Sequence, residues 1–315
     1  MGADGVSSPP ATGEGEAFKR ADASSFDAGA ETYDRLTQLA TGPLTAHLLD
    51  LARLRGDDSL LDLGTGTGIV PLYAAARPGW RGHVTALDHS DGMLAAARKR
   101  LTAAGIASRV TLLRGDAERL DLPDAHFDVV VSMFALIHFP DPFAALREMR
   151  RVLKPRGRLA LSVGGSPPWS PRGVAQRLTR APEVLALARG RLLLATRFLD
   201  GLVDRHGLPD VGPALTEYAR HHTNRTAGTV ELVKRAGFRQ VRRSFRTHAV
   251  DFDSIQDFWD VQRLFSSSAR RRIQAADPGA VARLRADFDA RCRRVLDAGG
   301  RLRYPTAALY VTAVR

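Results

Sequence analysis

Leu60–Gly68 reads Leu-Leu-Asp-Leu-Gly-Thr-Gly-Thr-Gly, and Asp88 stands twenty residues beyond it. The four apolar-rich residues have the length of a short buried strand, and the glycines that follow form a tight loop opening a helix. Gly64, Thr65 and Gly66 begin that loop, whose glycines carry no side chain to clash with a ligand pressed against the backbone. An acidic residue at the end of the next strand can accept hydrogen bonds from both hydroxyls of a ribose, the part predicted for Asp88. The glycine spacing is G-x-G-x-G with Ile69 next, so the dinucleotide fingerprint G-x-G-x-x-G is not met. A dinucleotide-binding protein is therefore the poorer reading.

Outward from this loop the chain alternates between strand-like and helical runs. Leu60–Leu63, His83–Leu87, Val110–Arg114, Phe127–Ser132 and Arg158–Val163 read as strands, with helices predicted at Ile69–Ala76, Met93–Ala104 and Pro142–Leu153. Alternation of this kind predicts a doubly wound, mostly parallel α/β sheet. Its ligands sit at the carboxyl ends of the strands, so the loops after Leu63, Leu87, Arg114 and Ser132 should converge. Ser25–Leu54 reads as helices ahead of the first strand. After Gly164-Gly165 the pattern changes, and residues 166–226 read as a helical insertion over the acceptor side. Alternation resumes with a helix over Thr229–Gly237 and a strand over Gln240–Phe252. A second helical excursion over Ser254–Gly300 precedes the last strand, Thr306–Val314. The expected organisation is a disordered tail over 1–22, one domain built from 23–165 and 227–315, and a lid at 166–226.

Composition narrows the class further. The 315 residues are 44% hydrophobic, enough for a substantial core. Cys292 is the single cysteine, which excludes an internal disulfide framework and a Cys-based zinc site; it reads as an inert residue on a polar helix. No His, Cys, Asp or Glu cluster has ligand spacing, so no metal is expected. Met1–Arg20 lacks the apolar segment of a signal peptide and no run approaches a membrane span, which predicts a cytoplasmic protein. Charge is uneven: residues 1–148 carry 14 Lys/Arg against 20 Asp/Glu, and residues 149–315 carry 32 against 14. Only four of the 46 basic residues are lysines, a bias that also fits GC-rich coding.

Six matches of residue and spacing carry a resemblance. Leu61-Asp-Leu-Gly-Thr-Gly-Thr-Gly68, Ala86-Leu-Asp-His-Ser90 with Met93-Leu94, Arg114-Gly-Asp-Ala117 and Phe127-Asp-Val-Val-Val-Ser132 occur in order. Ala135-Leu-Ile-His-Phe-Pro-Asp-Pro142 and Arg150-Arg-Val-Leu-Lys-Pro-Arg-Gly157 follow. The chain resembles a class I S-adenosylmethionine-dependent methyltransferase, nearest in style to the quinone-biosynthesis (UbiE-like) group. The resemblance is strong over Leu60–Val163 and weaker over Thr229–Arg315. It implies a seven-stranded Rossmann-like sheet and S-adenosylmethionine as cofactor.

Within that resemblance, Asp62 orients the glycine loop and meets the ammonium of the methionine moiety, directly or through water. His89 or Met93 packs beside the adenine, although Met93 reads equally well as core. Asp116 accepts from the adenine amine, the Ala117 backbone meets the ring edge, and Ser132, Met133 and Phe134 lie beneath the sulfonium. Tyr33 resembles the aromatic that closes over the methionine end, with helix packing as its alternative.

Methyl transfer asks mainly for in-line positioning, with a general base where the acceptor is a phenol, enol or carbon acid. His138 is the candidate catalytic base, and packing or capping its loop is the competing role. Some relatives have two adjacent histidines there, where this chain has Ile137 and His138. His206, His221, His222 and His248 are lesser candidates. No Asn-Pro-Pro-Tyr or Asp-Pro-Pro-Tyr follows the fourth strand, which disfavours methylation of nucleobase amines. The expected substrate is a small, largely apolar acceptor such as a quinone or secondary metabolite, methylated on oxygen or carbon. A nucleic-acid methyltransferase using the basic half is the alternative, and a non-catalytic ligand-binding relative the second. Nucleic acid is the disfavoured partner, and a homodimer is left open.

Overall fold

The structure, a computed structural model, describes residues 12–27, 30–165, 181–195, 197–211 and 226–315. Two helices, α1 (Thr12–Asp27) and α2 (Ala30–Ala52), lead into β1 (Leu60–Leu63), α3 (Ile69–Ala75), β2 (Val84–Asp88) and α4 (Asp91–Ala103). Then come β3 (Val110–Arg114), β4 (Phe127–Met133), α5 (Pro142–Val152) and β5 (Leu153–Gly164). The remainder comprises α6 (Ala181–Ala188), β6 (Leu192–Leu194), α7 (Phe198–Arg205), α8 (Thr226–Arg235) and β7 (Arg239–Phe252). Helices α9 (Ile255–Phe265), α10 (Ser267–Ala275) and α11 (Pro278–Asp297) precede the last strand, β8 (Arg301–Val314).

The sheet runs β3-β2-β1-β4-β5-β8-β6, with β7 also paired to β8. Strands β3, β2, β1, β4 and β5 are mutually parallel, and β8 is antiparallel to β5 and β7. Order reverses between β1 and β4, which opens a crevice at their carboxyl ends. Side chains alternate between two cores across the sheet. Val129 and Val131 pack with α2 and α3 through Leu44, Leu48, Ile69 and Val70. Val130 and Leu161 face α5 and α8 through Leu146, Met149 and Val233. Both faces are covered, which is why β4 is nearly continuously apolar.

The doubly wound, mostly parallel sheet agrees with the expectation, but it has eight strands where seven are predicted. The extra strand is β6, three residues in a region whose Leu-rich sequence reads as helix. It pairs Leu192–Leu194 with Arg301–Arg303, so β8 begins five residues ahead of the expected Thr306. A strand gains length when partners are present on both edges, and no local propensity reveals that. Residues 166–180 and 212–225 of the expected lid lie outside the described residues. Between them stand α6, β6 and α7.

A second correction concerns the N-terminus. Residues 12–27 are helical where the sequence predicts a disordered tail through residue 22. The helix is held by tertiary contacts rather than by its own weak amphipathicity: Asp22 is buried, and Lys19 reaches across to Asp116.

The second helical excursion closes around its own core. Phe198, Phe258 and Phe288 lie within 5.2–6.4 Å of one another, and Trp259 meets Phe288 edge-on at 4.9 Å. Cys292 belongs to this core, not to a polar surface, and burial pushes its thiol up to about 12. It is inert at neutral pH. Among the described residues no helix is long and apolar enough to cross a membrane.

Candidate active site

The glycine loop is built by the strand ends it joins. Leu87 O accepts from Gly64 N at 2.8 Å and Thr65 N at 3.0 Å. Gly64, Gly66 and Gly68 take φ of 74°, 55° and 80°. At Gly64 a Cβ would stand 2.2 Å from Ala135 Cβ, so glycine is required by both angle and space. Asp88 completes the loop: Oδ2 accepts from Gly66 N at 2.8 Å and Oδ1 from Ser90 N at 3.0 Å. Ser90 in turn caps α4 by accepting from Met93 N at 3.0 Å. One carboxylate thus ties the first strand's loop to the start of the helix after the second. Each oxygen keeps a lone pair for another donor.

Asp62 lies beneath this loop, fully buried, with the Thr65 hydroxyl beside it but no well-formed hydrogen bond to either carboxylate oxygen. The hydroxyls of Thr65, Thr67 and Ser132 are buried and unpartnered as well. Burial raises the Asp62 carboxyl to about 7, opposed by the adjacent Thr65 hydroxyl and helped by the charge on Asp88. A buried acid without a donor is costly unless a ligand supplies one. An ammonium group fits that deficit, so the residues present suit the methionine end of the expected cofactor.

Two small cavities flank Gly64. One, about 20 Å³, is lined by Lys19, Asp88, His89, Asp116, Ala117 and His138 among others. The other, about 40 Å³, lies between Thr65–Thr67 and a wall of Met133, Phe134 and Phe265. Together they are far smaller than a nucleoside, because α1 covers the first and Phe265 of α9 closes the second. Phe134 holds φ of 57°, with its N–H donated to Ser162 O at 3.1 Å and Oγ at 3.2 Å. Ser162 Oγ also lies 3.0 Å from Met133 Sδ.

The predicted site residues therefore divide. Gly64, Thr65, Gly66, Asp88, His89, Asp116, Ala117, Met133 and His138 line one cavity or the other. Asp62 and Ser132 are buried immediately behind the walls. Met93 is buried on α4 and lines neither cavity. Tyr33 falls in α2, and its side chain lies outside the described residues. His206 pairs with Asp287 at 3.1 Å and His248 meets Leu39 O at 3.1 Å, both away from the cavities. His221 and His222 lie outside the described residues.

Two side chains from the stretch expected to be a tail belong to the site. Asp22 Oδ2 is 3.2 Å from His138 Nδ1 and 3.9 Å from His89 Nε2. Burial pushes the Asp22 carboxyl up, but His138, His89 and Arg270 outweigh it and hold the group below its usual range. Lys19 Nζ lies 2.7 Å from both Asp116 Oδ2 and Glu118 Oε2. Burial lowers the Lys19 ammonium, and those two carboxylates more than reverse it, leaving it raised. The one signal in the sequence is the i, i+3 spacing of Lys19 and Asp22 on one helix face.

Comparisons with known proteins agree with this geometry. The mostly parallel sheet with its helical insertions is consistent with the class I S-adenosylmethionine-dependent methyltransferase fold, and residues 61–161 match the family model described as a methyltransferase domain. Over 150 residues the chain is 37% identical to the ubiquinone/menaquinone biosynthesis C-methyltransferase UbiE of Shewanella frigidimarina (strain NCIMB 400), covering 46% of this chain and 60% of that one. It is also 37% identical over 139 residues to a demethylmenaquinone methyltransferase of Listeria monocytogenes serotype 4a (strain HCC23), covering 43% and 58%. The chain thus matches 58–60% of the length of these two relatives. Among solved structures, the YcgJ protein of Bacillus subtilis superposes with a TM-score of 0.52 at 17% identity, covering 86% of this chain and 98% of that one. A phosphoethanolamine N-methyltransferase 2 of Haemonchus contortus, in complex with S-adenosylmethionine, gives 0.51 at 16% identity, covering 92% and 57%. At such identities these structures speak for the fold alone.

Proposed function

We propose that this chain moves a methyl group from S-adenosylmethionine to oxygen or carbon of a small, largely apolar organic acceptor, quinone-like in character. The observation that carries the reading is the second cavity, where the glycine loop and the wall of Met133, Phe134 and Phe265 face the same space. Donor-binding backbone and an apolar, aromatic surface there meet at one point. When bound, the cofactor supplies a sulfonium-activated methyl, so the protein's work is alignment and exclusion of water.

In this reading Asp62 meets the ammonium, Asp88 the ribose and Asp116 the adenine amine. His138 lines the first cavity, on the other side of Gly64, and is oriented through Nδ1 by Asp22. Nε2 is the atom that takes a proton from an acceptor whose ionising group extends past Gly64 to it. Asp22 is a positioning residue and His138 the candidate base. The quinone-like character is supported by the named activities of the similar curated proteins. Incubation with methyl-labelled donor and extracts of the source organism, followed by mass spectrometry, tests the proposal. A labelled small molecule is the expected product, and label found only in RNA would overturn it.

A further inference from the structure

At the end of the sheet opposite the donor cavities lies a groove of about 790 Å³. It is formed where α2 ends, where β5 bends after Leu153, and where β7 begins beside the end of β8. Along β4, Asp128 at this groove and Met133 at the donor cavity are five residues apart, about 17 Å at strand rise. A ligand held here is out of reach of the transferring methyl.

The groove is strongly cationic in a way its composition alone understates. Arg53, Arg55, Arg156, Arg242 and Arg243 line it, all are exposed, and none has an ion-pair partner among the described residues. Its three acids are already neutralised. Asp58 pairs with Arg158, Asp128 with Lys154 at 2.7 Å, and Asp50 with Arg77 at 2.6 Å. Five guanidinium groups are left facing one concavity with no local counter-charge.

Backbone strain points to the same place. Six described non-glycine residues have positive φ, and three line this groove: Arg53 at 53°, Arg156 at 64° and Gln240 at 52°. They lie on three of the segments lining it, just after α2 ends, in the bend of β5 and at the register shift of β7 against β8, and each holds a left-handed conformation that side-chain-bearing residues disfavour. Strain of this kind persists where surrounding structure enforces it, and it gathers at binding sites.

We propose that this groove binds a small anion carrying clustered phosphates, such as a di- or triphosphate group. Guanidinium forks match phosphate oxygens in bidentate pairs. The volume falls in the range of small-molecule sites, about 300–1,000 Å³. No aromatic side chain is among the lining residues, so the stacking platform that single-stranded nucleic acids use is missing. Three of the five arginines, Arg156, Arg242 and Arg243, come from the basic C-terminal half, which then shares a binding role separate from methyl transfer.

The test is calorimetric titration of inorganic tripolyphosphate into the full chain at physiological ionic strength. Saturable binding with one site per chain is expected. Arg55→Glu and Arg242→Glu, from different segments, should each weaken it at least tenfold. Arg283→Glu, an exposed arginine on α11 outside the groove, should leave it unchanged, and S-adenosylmethionine binding should be the same in all four proteins. Absence of saturable binding would overturn the site, as would equal weakening by Arg283→Glu. Tighter binding of a twenty-nucleotide RNA, lost in the same two groove variants, would overturn the phosphate-ligand assignment in favour of nucleic acid.

Discussion

The Lys19 ammonium sits 2.7 Å from the Asp116 carboxylate, joining α1 to the turn after β3 across 97 residues. The same carboxylate is the one proposed to receive the adenine amine, and under that proposal lysine and cofactor compete for it. A part-buried ion pair of this kind contributes about 1 kcal/mol. Lys19→Ala should therefore tighten S-adenosylhomocysteine binding about fivefold, read by calorimetry, while hydrogen exchange over α1 accelerates. Unchanged or weaker binding would mean that Lys19 closes over the ligand instead of displacing it.

Asp62 gives a pH dependence with a definite sign. Its carboxyl is raised from 3.8 to about 7, so the ligand-free fold favours the protonated form. Stability from this group is full below the unfolded value and declines as pH rises toward 7. An ammonium ligand favours the carboxylate, so binding releases a proton below pH 7. Donor affinity should rise at least fivefold between pH 5.5 and 7.5. Calorimetry in buffers of different ionisation enthalpy should detect the released proton, and Asp62→Asn should abolish both effects.

The glycine loop predicts two different failures. Gly64→Ala places a methyl 2.2 Å from Ala135 Cβ at φ of 74°, and should lower stability by about 2 kcal/mol or more. Gly66→Ala meets nothing within 4 Å, so only its φ of 55° opposes the change, about 1 kcal/mol. Its methyl stands in open space beside the loop, where the donor is expected. Thermal melts should separate the two variants, and donor titration should show loss in both.

His138→Ala should reduce turnover by about a hundredfold while donor affinity changes less than threefold. Asp22→Asn should cost less, because it removes the orienting charge but keeps the imidazole. The depressed Asp22 carboxyl stabilises the fold above its ordinary value of 3.8 and loses that contribution as pH falls through its lower folded value. Melting of Asp22→Ala should thus lag the parent at pH 7 and approach it near pH 3. Equal turnover in His138→Ala would move the base elsewhere.

Much of the site is legible in the sequence, and the reason is local. Strand ends, loop and cap lie within a few residues of one another, as in Asp88, Gly66 and Ser90, so spacing alone places them. Met93 is ambiguous at that level because a helix residue's apolar side can face core or ligand, and packing decides. The second core is legible as helices but not as one cluster, because Phe198, Phe258 and Phe288 come from three elements.

By itself, the sequence determined the alternating sheet and the glycine loop over Leu60–Gly68, because periodicity and turn chemistry act over short range. Tertiary structure alone decided that a weakly amphipathic N-terminal segment would fold as α1 and carry Asp22 to His138 and Lys19 to Asp116. It also decided that β8 would find three partners and that five arginines would share one groove. Those outcomes depend on contacts between residues fifty or more positions apart, and only packing brings them together.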